Sequence, residues 1–429
     1  MNFFIKQHRL FVVLLLWLTV SCSEIPAAQP TPTPESIPTA TTPPQPTLAA
    51  TSKPSGPLTI NLWLPPEFDP ESGTPAGDIL KARLKEFTDR RTNTRVLVRI
   101  KTPEGPGGML DSLTTANAAA PLAIPDLVAL PRPDLEVAAL KGLLRPFDNL
   151  VETADDPDWF PFARQMARLQ NSTYGIPFAG DAQMLVYDPV TIPAPPRTLS
   201  DTLNAPGPLA FAAADPQALF TLAQYQANGG AILDAQERPW LDIAPLTEVL
   251  TYYQSAAAAD LIPVWVTQLE NDDQVWEAFN DGNAEMIITW ISNHLKEVQA
   301  DSAAAPMPTT SGKPFSLATG WVWALASPEP EHQAISVELA QWLSGSDFLA
   351  RWTAALGYLP PRPSALASWQ MGPQRALAGE IAANAQLIPS SDVLNSLSPL
   401  LEKATLDILK RQTDAATAAQ QAANSLTSP

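Results

Sequence analysis

The chain has 429 residues, a formal charge of −18, 46 prolines and a single cysteine. That length holds two or three domains, and an apolar content of 45% can fill sizeable cores. The acidity excludes nucleic acid, whose phosphates need clustered Lys and Arg, and adhesion by charge to anionic membranes.

Residues 1–21 read as an export signal. Lys6 and Arg9 form a positive start, and Leu10 to Val20 form an apolar core. That core is too short for a membrane span of roughly 20 residues. Thr19, Val20 and Ser21 then precede Cys22. This pattern resembles the bacterial lipoprotein lipobox, which implies lipidation of Cys22 and a stable anchor. Once Cys22 is so used, no cysteine remains for a disulfide. Residues 22–57 are dense in Pro and Thr without an apolar period, the composition of a tether rather than a core. In polyproline II such a segment reaches on the order of 100 Å.

The folded part opens with LTINLWL at Leu58–Leu64, where Leu58, Ile60 and Leu62 alternate with Thr59, Asn61 and Trp63. Residues 79–91 place Leu80, Leu84 and Phe87 on one helical face. Arg95–Ile100 predicts a second strand, and a Gly/Pro loop at Pro103–Gly108 leads into an Ala-rich helix. A buried strand at Asp126–Leu130 and a helix at Asp134–Lys141 complete a strand–helix alternation, the rhythm of a parallel sheet.

Tyr174–Tyr187 (YGIPFAGDAQMLVY) starts a second unit, followed by helices at 216–227 and 245–257. From Trp276 the pattern gives a short amphipathic helix, a turn at Asp281-Gly282, a strand ending in Trp290, and a strand carrying Trp321 and Trp323. A helix at 333–344 is expected to bury Ile335, Leu339 and Trp342. Gly357–Arg362 reads as a loop, and a last helix at about 395–411 aligns Leu397, Leu400, Leu401, Ala404 and Ile408.

Nothing in the chain forms a recognisable catalytic device. His294 and His332 have no metal-spaced partners, and no G-x-S-x-G, Walker or complete G-x-G-x-x-G motif occurs. Asp155, Asp156 and Asp158 read as a solvated turn before Trp159 rather than a glycosidase pair. The expectation is a protein that is not an enzyme and uses no cofactor or metal.

Taken in order, PDLVAL with Gly142–Asp148, YGIPFAGDAQMLVYDP, WEAFNDGNAEMIITWISN, GWVWALASPEPEHQAISVELAQWL and GYLPPRPSAL resemble family 1 of the extracellular solute-binding proteins. These are the sugar receptors of ABC importers that include maltose-binding protein. The resemblance covers roughly residues 58–370. It implies an α/β, two-lobed periplasmic-binding-protein-like fold of type II, with the ligand cleft between lobes joined by hinge strands. One lobe would comprise 58–179 with 320–368, the other 180–319 with 369–429. Crossings would fall near Pro177–Gly180, Phe315–Thr319 and 368–372.

Carried over residue by residue, the resemblance makes Trp290 and Trp321 aromatic platforms for a sugar ring. Trp323 lies deeper, in the core. Asp181, with Gln183 beside it, would hydrogen-bond sugar hydroxyls. Trp63 and Glu67 sit where relatives contact ligand, and Arg362 is either a cleft donor or a loop cap. Trp240 and Trp265 are further aromatic candidates. Leu130-Pro131-Arg132 departs from the aromatic or polar residue common after that strand. The implied role is capture of a carbohydrate for an ABC importer by a monomer anchored on the extracytoplasmic face through its lipid. A polyamine or other small cation also suits acidic and aromatic residues. A surface adhesin or sensor that kept the fold is a third reading.

Overall fold

The computed structural model describes residues 56–120, 123–148, 150–151, 156–297 and 302–427. The signal segment, Cys22 and the tether up to residue 55 lie outside them. In chain order the first elements are β1 (Leu58–Leu64), α1 (Pro75–Asp89), β2 (Thr94–Ile100), α2 (Met109–Ala119), β3 (Leu127–Pro131), α3 (Arg132–Leu140) and α4 (Pro161–Met166). A small hairpin of β4 (Arg168–Leu169) and β5 (Ser172–Thr173) precedes the long β6 (Gly175–Tyr187). Then come α5 (Leu199–Thr202), β7 (Leu209–Ala210), α6 (Leu219–Ala227), α7 (Ile243–Ala258), α8 (Asp272–Asn280), β8 (Met286–Trp290), α9 (Ile291–Lys296), β9 (Ala303–Ala305) and β10 (Ser316–Leu325). The chain closes with α10 (Pro330–Trp342), α11 (Ser346–Leu356), α12 (Pro363–Ala367), α13 (Pro373–Asn384), β11 (Ala385–Leu387), α14 (Ser391–Leu409) and α15 (Ala415–Thr427).

The main sheet runs β2-β1-β3-β10-β6-β8-β7, with β11 on β10 and β9 on β6. β1 pairs in parallel with both β2 and β3, as the strand–helix alternation requires. A strand enclosed on both sides and covered on both faces has no polar face. Ile60, Leu62, Trp63 and Leu64 are accordingly all buried, which overrides the alternation read from LTINLWL.

Two strands divide the sheet into halves. β6 pairs with β10 through Gly175–Ala182 and with β8 through Gln183–Tyr187. Every residue of its thirteen is buried, since it runs through the middle of the molecule. β10 pairs with β3 through Trp321–Leu325 and with β11 through Ser316–Ala318. Where the two cross, Gly320 faces Gly180. A Cβ on Gly320 would stand 2.2 Å from the Ala179 carbonyl oxygen, and one on Gly180 would stand 2.8 Å from the Phe162 ring. Glycine here permits the close backbone approach.

On the first half, α3 packs on β3 and α10 on β1, while α1 lies against β2 and α11. α10 buries Ser336, Val337, Leu339 and Ala340. Ile335 and Trp342, expected inside, are only half-buried; Trp342 packs under the Arg83 guanidinium, 3.5 Å from its ring centroid, and its indole N–H donates to the Arg83 carbonyl at 3.1 Å. On the second half, α8 packs on β8, and α14 and α15 close over α7. α15 has no large apolar stripe in sequence. Its buried face is Ala415, Ala418, Ala419 and Ala422, small residues at helical spacing that permit a close approach to its neighbours.

Candidate functional site

The region around the crossing carries most of the sequence-predicted residues. α11 ends at Gly357 in the left-handed conformation, φ 73°, and the Tyr358 N–H returns to the Thr353 carbonyl. Two reciprocal 2.8 Å hydrogen bonds then join Leu359 to Gly180. This docking sets Tyr358 over the crossing strands. Its hydroxyl donates to Glu67 Oε2 at 2.9 Å and lies 3.2 Å from Lys296 Nζ, which also sits 4.4 Å above its ring. Trp321 lies beside the same hydroxyl, and its ring meets Phe68 edge-on at 5.0 Å. Glu67, Phe68, Trp321 and Tyr358 thus form one wall.

Glu67 is solvent-accessible, yet burial among protein atoms raises its pKa, against the opposing effects of Tyr358 and Lys296. Exposure together with crowding describes the wall of a recess. Burial, reinforced by the negative charges of Glu67 and Asp181, holds the Tyr358 hydroxyl well above the usual tyrosine range.

The other wall is built on β8 and its neighbours. Trp290 ends the strand, directly opposite Gln183, and begins α9. Asp181 Oδ1 accepts the N–H groups of Ser292 at 3.1 Å and Ala182 at 3.0 Å, and Oδ2 accepts the Ser292 hydroxyl at 2.5 Å. Burial pushes the Asp181 carboxyl up to about 6, although the Ser292 bonds and Lys296 favour its charge. Asp272, the first residue of α8, lies beside Thr289 and Trp290, which favour its charged form. Burial and the charges of Asp215 and Asp181 raise Asp272 to about 7. Asp215 accepts the N–H groups of Gln217 at 2.9 Å and Leu219 at 3.1 Å, and burial raises its pKa as well.

Between the halves lies a cavity of about 170 Å³. Arg132 and Glu136 of α3, Pro216 and Gln217, Thr319 of β10 and the first turns of α14 line it. Thr319 pairs with Asp181, which ties this cavity to the crossing. Arg132 Nη1 is buried without a partner, and burial lowers the guanidinium's pKa against the opposing charge of Glu136. A larger hollow of about 560 Å³ lies along α11 and residues 368–375, but it contains none of these converging groups. Volume alone therefore does not single out the candidate site; the convergence of strand ends is the stronger pointer.

Trp290, Trp321, Asp181, Gln183 and Glu67 are brought to this one region. Trp63 is not: it is 3% exposed, its indole N–H has no partner, and Lys101 Nζ lies 5.0 Å over its ring. Enclosure of β1 on both faces places it in the core. Arg362 is likewise committed elsewhere. It donates to Ser344 O at 3.0 Å and Asp156 Oδ2 at 2.8 Å, approaches Asp158 Oδ2 at 3.3 Å, and stacks 3.8 Å over Trp159. The loop-cap alternative fits this arrangement, and the acidic turn expected to be solvated is its counter-charge. Trp323 is fully buried, stacked on Phe178 at 4.1 Å. Trp240 is exposed and bonded to Asp242, and Trp265 is half-buried in a 3₁₀ turn.

Tyr358, Lys296, Asp215 and Asp272 escaped the sequence reading. Tyr358 stood in a motif read only as a loop, and the two aspartates resemble any carboxylate at a helix start. Their convergence depends on contacts between residues more than 50 positions apart.

The comparisons with known proteins follow this geometry. A 177-residue stretch is 25% identical to a maltotriose-binding protein of Pyrococcus abyssi (strain GE5 / Orsay), covering 39% of this chain and 38% of that one. The chain thus matches well under half of that relative's length. Among solved structures, the cyclic alpha-maltosyl-1,6-maltose binding protein from Arthrobacter globiformis matches with a TM-score of 0.70 at 16% identity, over 86% of this chain and 99% of that one. A cyclo/maltodextrin-binding protein complexed with maltotetraose matches with a TM-score of 0.70 at 20% identity, over 87% and 98%. At such identities these likenesses establish the fold, which is the expected two-lobed α/β architecture. The model for bacterial extracellular solute-binding proteins matches residues 82–377, and the chain belongs to that family.

Proposed function

We propose that this chain is the membrane-tethered receptor of an ABC importer that captures a sugar or oligosaccharide and delivers it unchanged. One observation carries the reading. Trp290 and Trp321 stand on opposite sides of the crossing strands, and each lies beside a polar side chain, Asp272 and Tyr358 respectively. Aromatic rings with hydrogen-bonding groups beside them suit a sugar, whose C–H faces pack on aromatics while its hydroxyls meet polar partners. The relatives named above bind maltotriose, cyclic alpha-maltosyl-1,6-maltose and cyclo/maltodextrin, which supports the same class. Trp290, Trp321, Asp181, Gln183 and Glu67 are the proposed contacts, with Tyr358 and Lys296 added and Trp63 and Arg362 removed. In this reading β6 and β10 are the hinge strands, the lobes close over the solute, Cys22 carries the lipid, and residues 22–57 space the receptor from the membrane.

A thermal-shift screen of mono- and oligosaccharides tests the proposal. A binding sugar at 100 Kd stabilises by about 2.7 kcal/mol and changes tryptophan fluorescence. Trp290→Ala should remove that shift while circular dichroism stays unchanged. Stabilisation by no sugar would defeat the reading and favour an adhesin or sensor.

A further inference from the structure

The cavity between the halves is faced by two buried polar groups that the protein itself leaves unbonded. Arg132 opens α3 and is only 9% exposed, yet its Nη1 has no hydrogen-bond partner among the described residues. Ser398, midway along α14, is 3% exposed, and its hydroxyl has none either. The two come from opposite halves and line the same 170 Å³. A buried polar group costs stability unless something bonds to it, so a pair facing one cavity from two sides points to a guest. The larger hollow along α11 is lined by no such group.

The charges lining the cavity decide what kind of guest fits. Glu136 lies one helical turn after Arg132 and is buried too. Its Oε2 accepts the Ser391 N–H and hydroxyl at 3.2 Å each, which joins α3 to the start of α14. Arg132 and Glu136 offset each other as charges, while the guanidinium keeps a donor free. A carboxylate brought here would sit beside Glu136, and an ammonium beside Arg132; either buries like charges together. A hydroxyl avoids both. It accepts from Arg132, and it donates to or accepts from Ser398. The mouth is made of exposed residues, among them Pro133, Gln217 and Asn395, so a longer solute has room to extend outward.

We infer that this cavity is a subsite for an uncharged, hydroxyl-bearing end of the solute, with Arg132 and Ser398 as binding residues. The inference rests on the sugar reading above and narrows it to neutral saccharides. A planar guanidinium donates to two neighbouring oxygens at once, and vicinal sugar hydroxyls present them side by side. Neither free group serves the stability of the unliganded protein; each is satisfied only in the complex.

The test is isothermal titration near pH 7 with glucose, maltose, maltotriose, glucosamine, glucuronate and spermidine. The expected result is that a neutral saccharide binds at least 10-fold tighter than the three charged compounds. Arg132→Lys keeps a positive charge for Glu136 but loses the planar fork, and should bind that saccharide at least 10-fold more weakly. Ser398→Ala should bind it several-fold more weakly. Without sugar, Ser398→Ala should melt no lower than the unaltered chain, because its hydroxyl bonds to nothing in the protein; a lower melting temperature makes the hydroxyl structural and overturns its role. Unchanged affinity in Arg132→Lys overturns the subsite and leaves the sugar reading standing, as does tighter binding of glucosamine or glucuronate than of any neutral saccharide. Binding of spermidine alone, or of nothing, defeats the sugar reading and the inference with it.

Discussion

The closest backbone approach in the hinge region offers the sharpest test of the fold. In Gly320→Ala the new methyl would lie 2.2 Å from the Ala179 carbonyl oxygen, 2.8 Å from Met166 Sδ and 3.0 Å from Gly180 Cα. The sulfur belongs to a flexible side chain and can move. The carbonyl and the Cα belong to β6, which is buried throughout and held to β10 by an antiparallel ladder. Relieving the clash requires the strands to part by about 1 Å, a deformation of the kind that costs 1–3 kcal/mol in packed interiors. The usual gain from replacing a strand glycine, about 0.5–1 kcal/mol, offsets only part of it. The net loss should be on the order of 2 kcal/mol. Urea unfolding followed by tryptophan fluorescence reads it as a lower midpoint. Gly372→Ala is the control, because a Cβ there meets nothing within 4 Å. A Gly320→Ala midpoint equal to that of the control would refute the close-approach argument.

Other expectations follow from the same contacts. Arg362→Ala removes the stack on Trp159 and the bonds to Ser344 O, Asp156 and Asp158. It should cost roughly 2 kcal/mol, because the carboxylates remain partly solvated, with no change in ligand affinity; an affinity loss at intact stability would return Arg362 to the cleft. Thr221→Val keeps the shape but strips the fully buried Tyr253 hydroxyl and Thr405 of a partner, for a loss of about 1–3 kcal/mol in chemical denaturation. Stability should also depend on pH. Asp181 and Asp134 are raised to about 6 and Asp272 to about 7, so the folded state holds protons that the unfolded state releases near 3.8. Stability therefore falls as pH rises from about 4 through 7. Asp181 alone accounts for on the order of 3 kcal/mol at about 1.4 kcal/mol per unit. Asp156, held low by Arg362, acts in the opposite sense only in stronger acid. A melting temperature that drops on acidification from pH 8 to 5 would contradict this, and Asp181→Asn should flatten the profile between pH 4 and 6.

The sequence by itself determined the elements and their class. Strand alternation and helical spacing marked β1, β2, β6, β8, β10 and most helices to within a few residues, because local propensity and burial period act over single turns and strands. Order and spacing of motifs carried the family. Among the longer helices α11, α13 and α15 went unmarked, α15 because alanines carry little hydrophobic contrast.

Only the tertiary structure decided which aromatic and charged residues meet. Trp63 and Trp290 both sit near strand ends in sequence. β1 is covered on both faces and buries its tryptophan, whereas β8 ends beside the crossing and leaves Trp290 half-buried. Arg362 was equally compatible with a cleft or a clamp until Asp156, some 200 residues earlier, came within 2.8 Å. The recess itself depends on Asp181, Asp215, Asp272 and Tyr358 converging from separate elements. Burial raises the pKa of all four, and neighbouring negative charge adds to it for Asp272 and Tyr358, quantities that a linear chain does not possess.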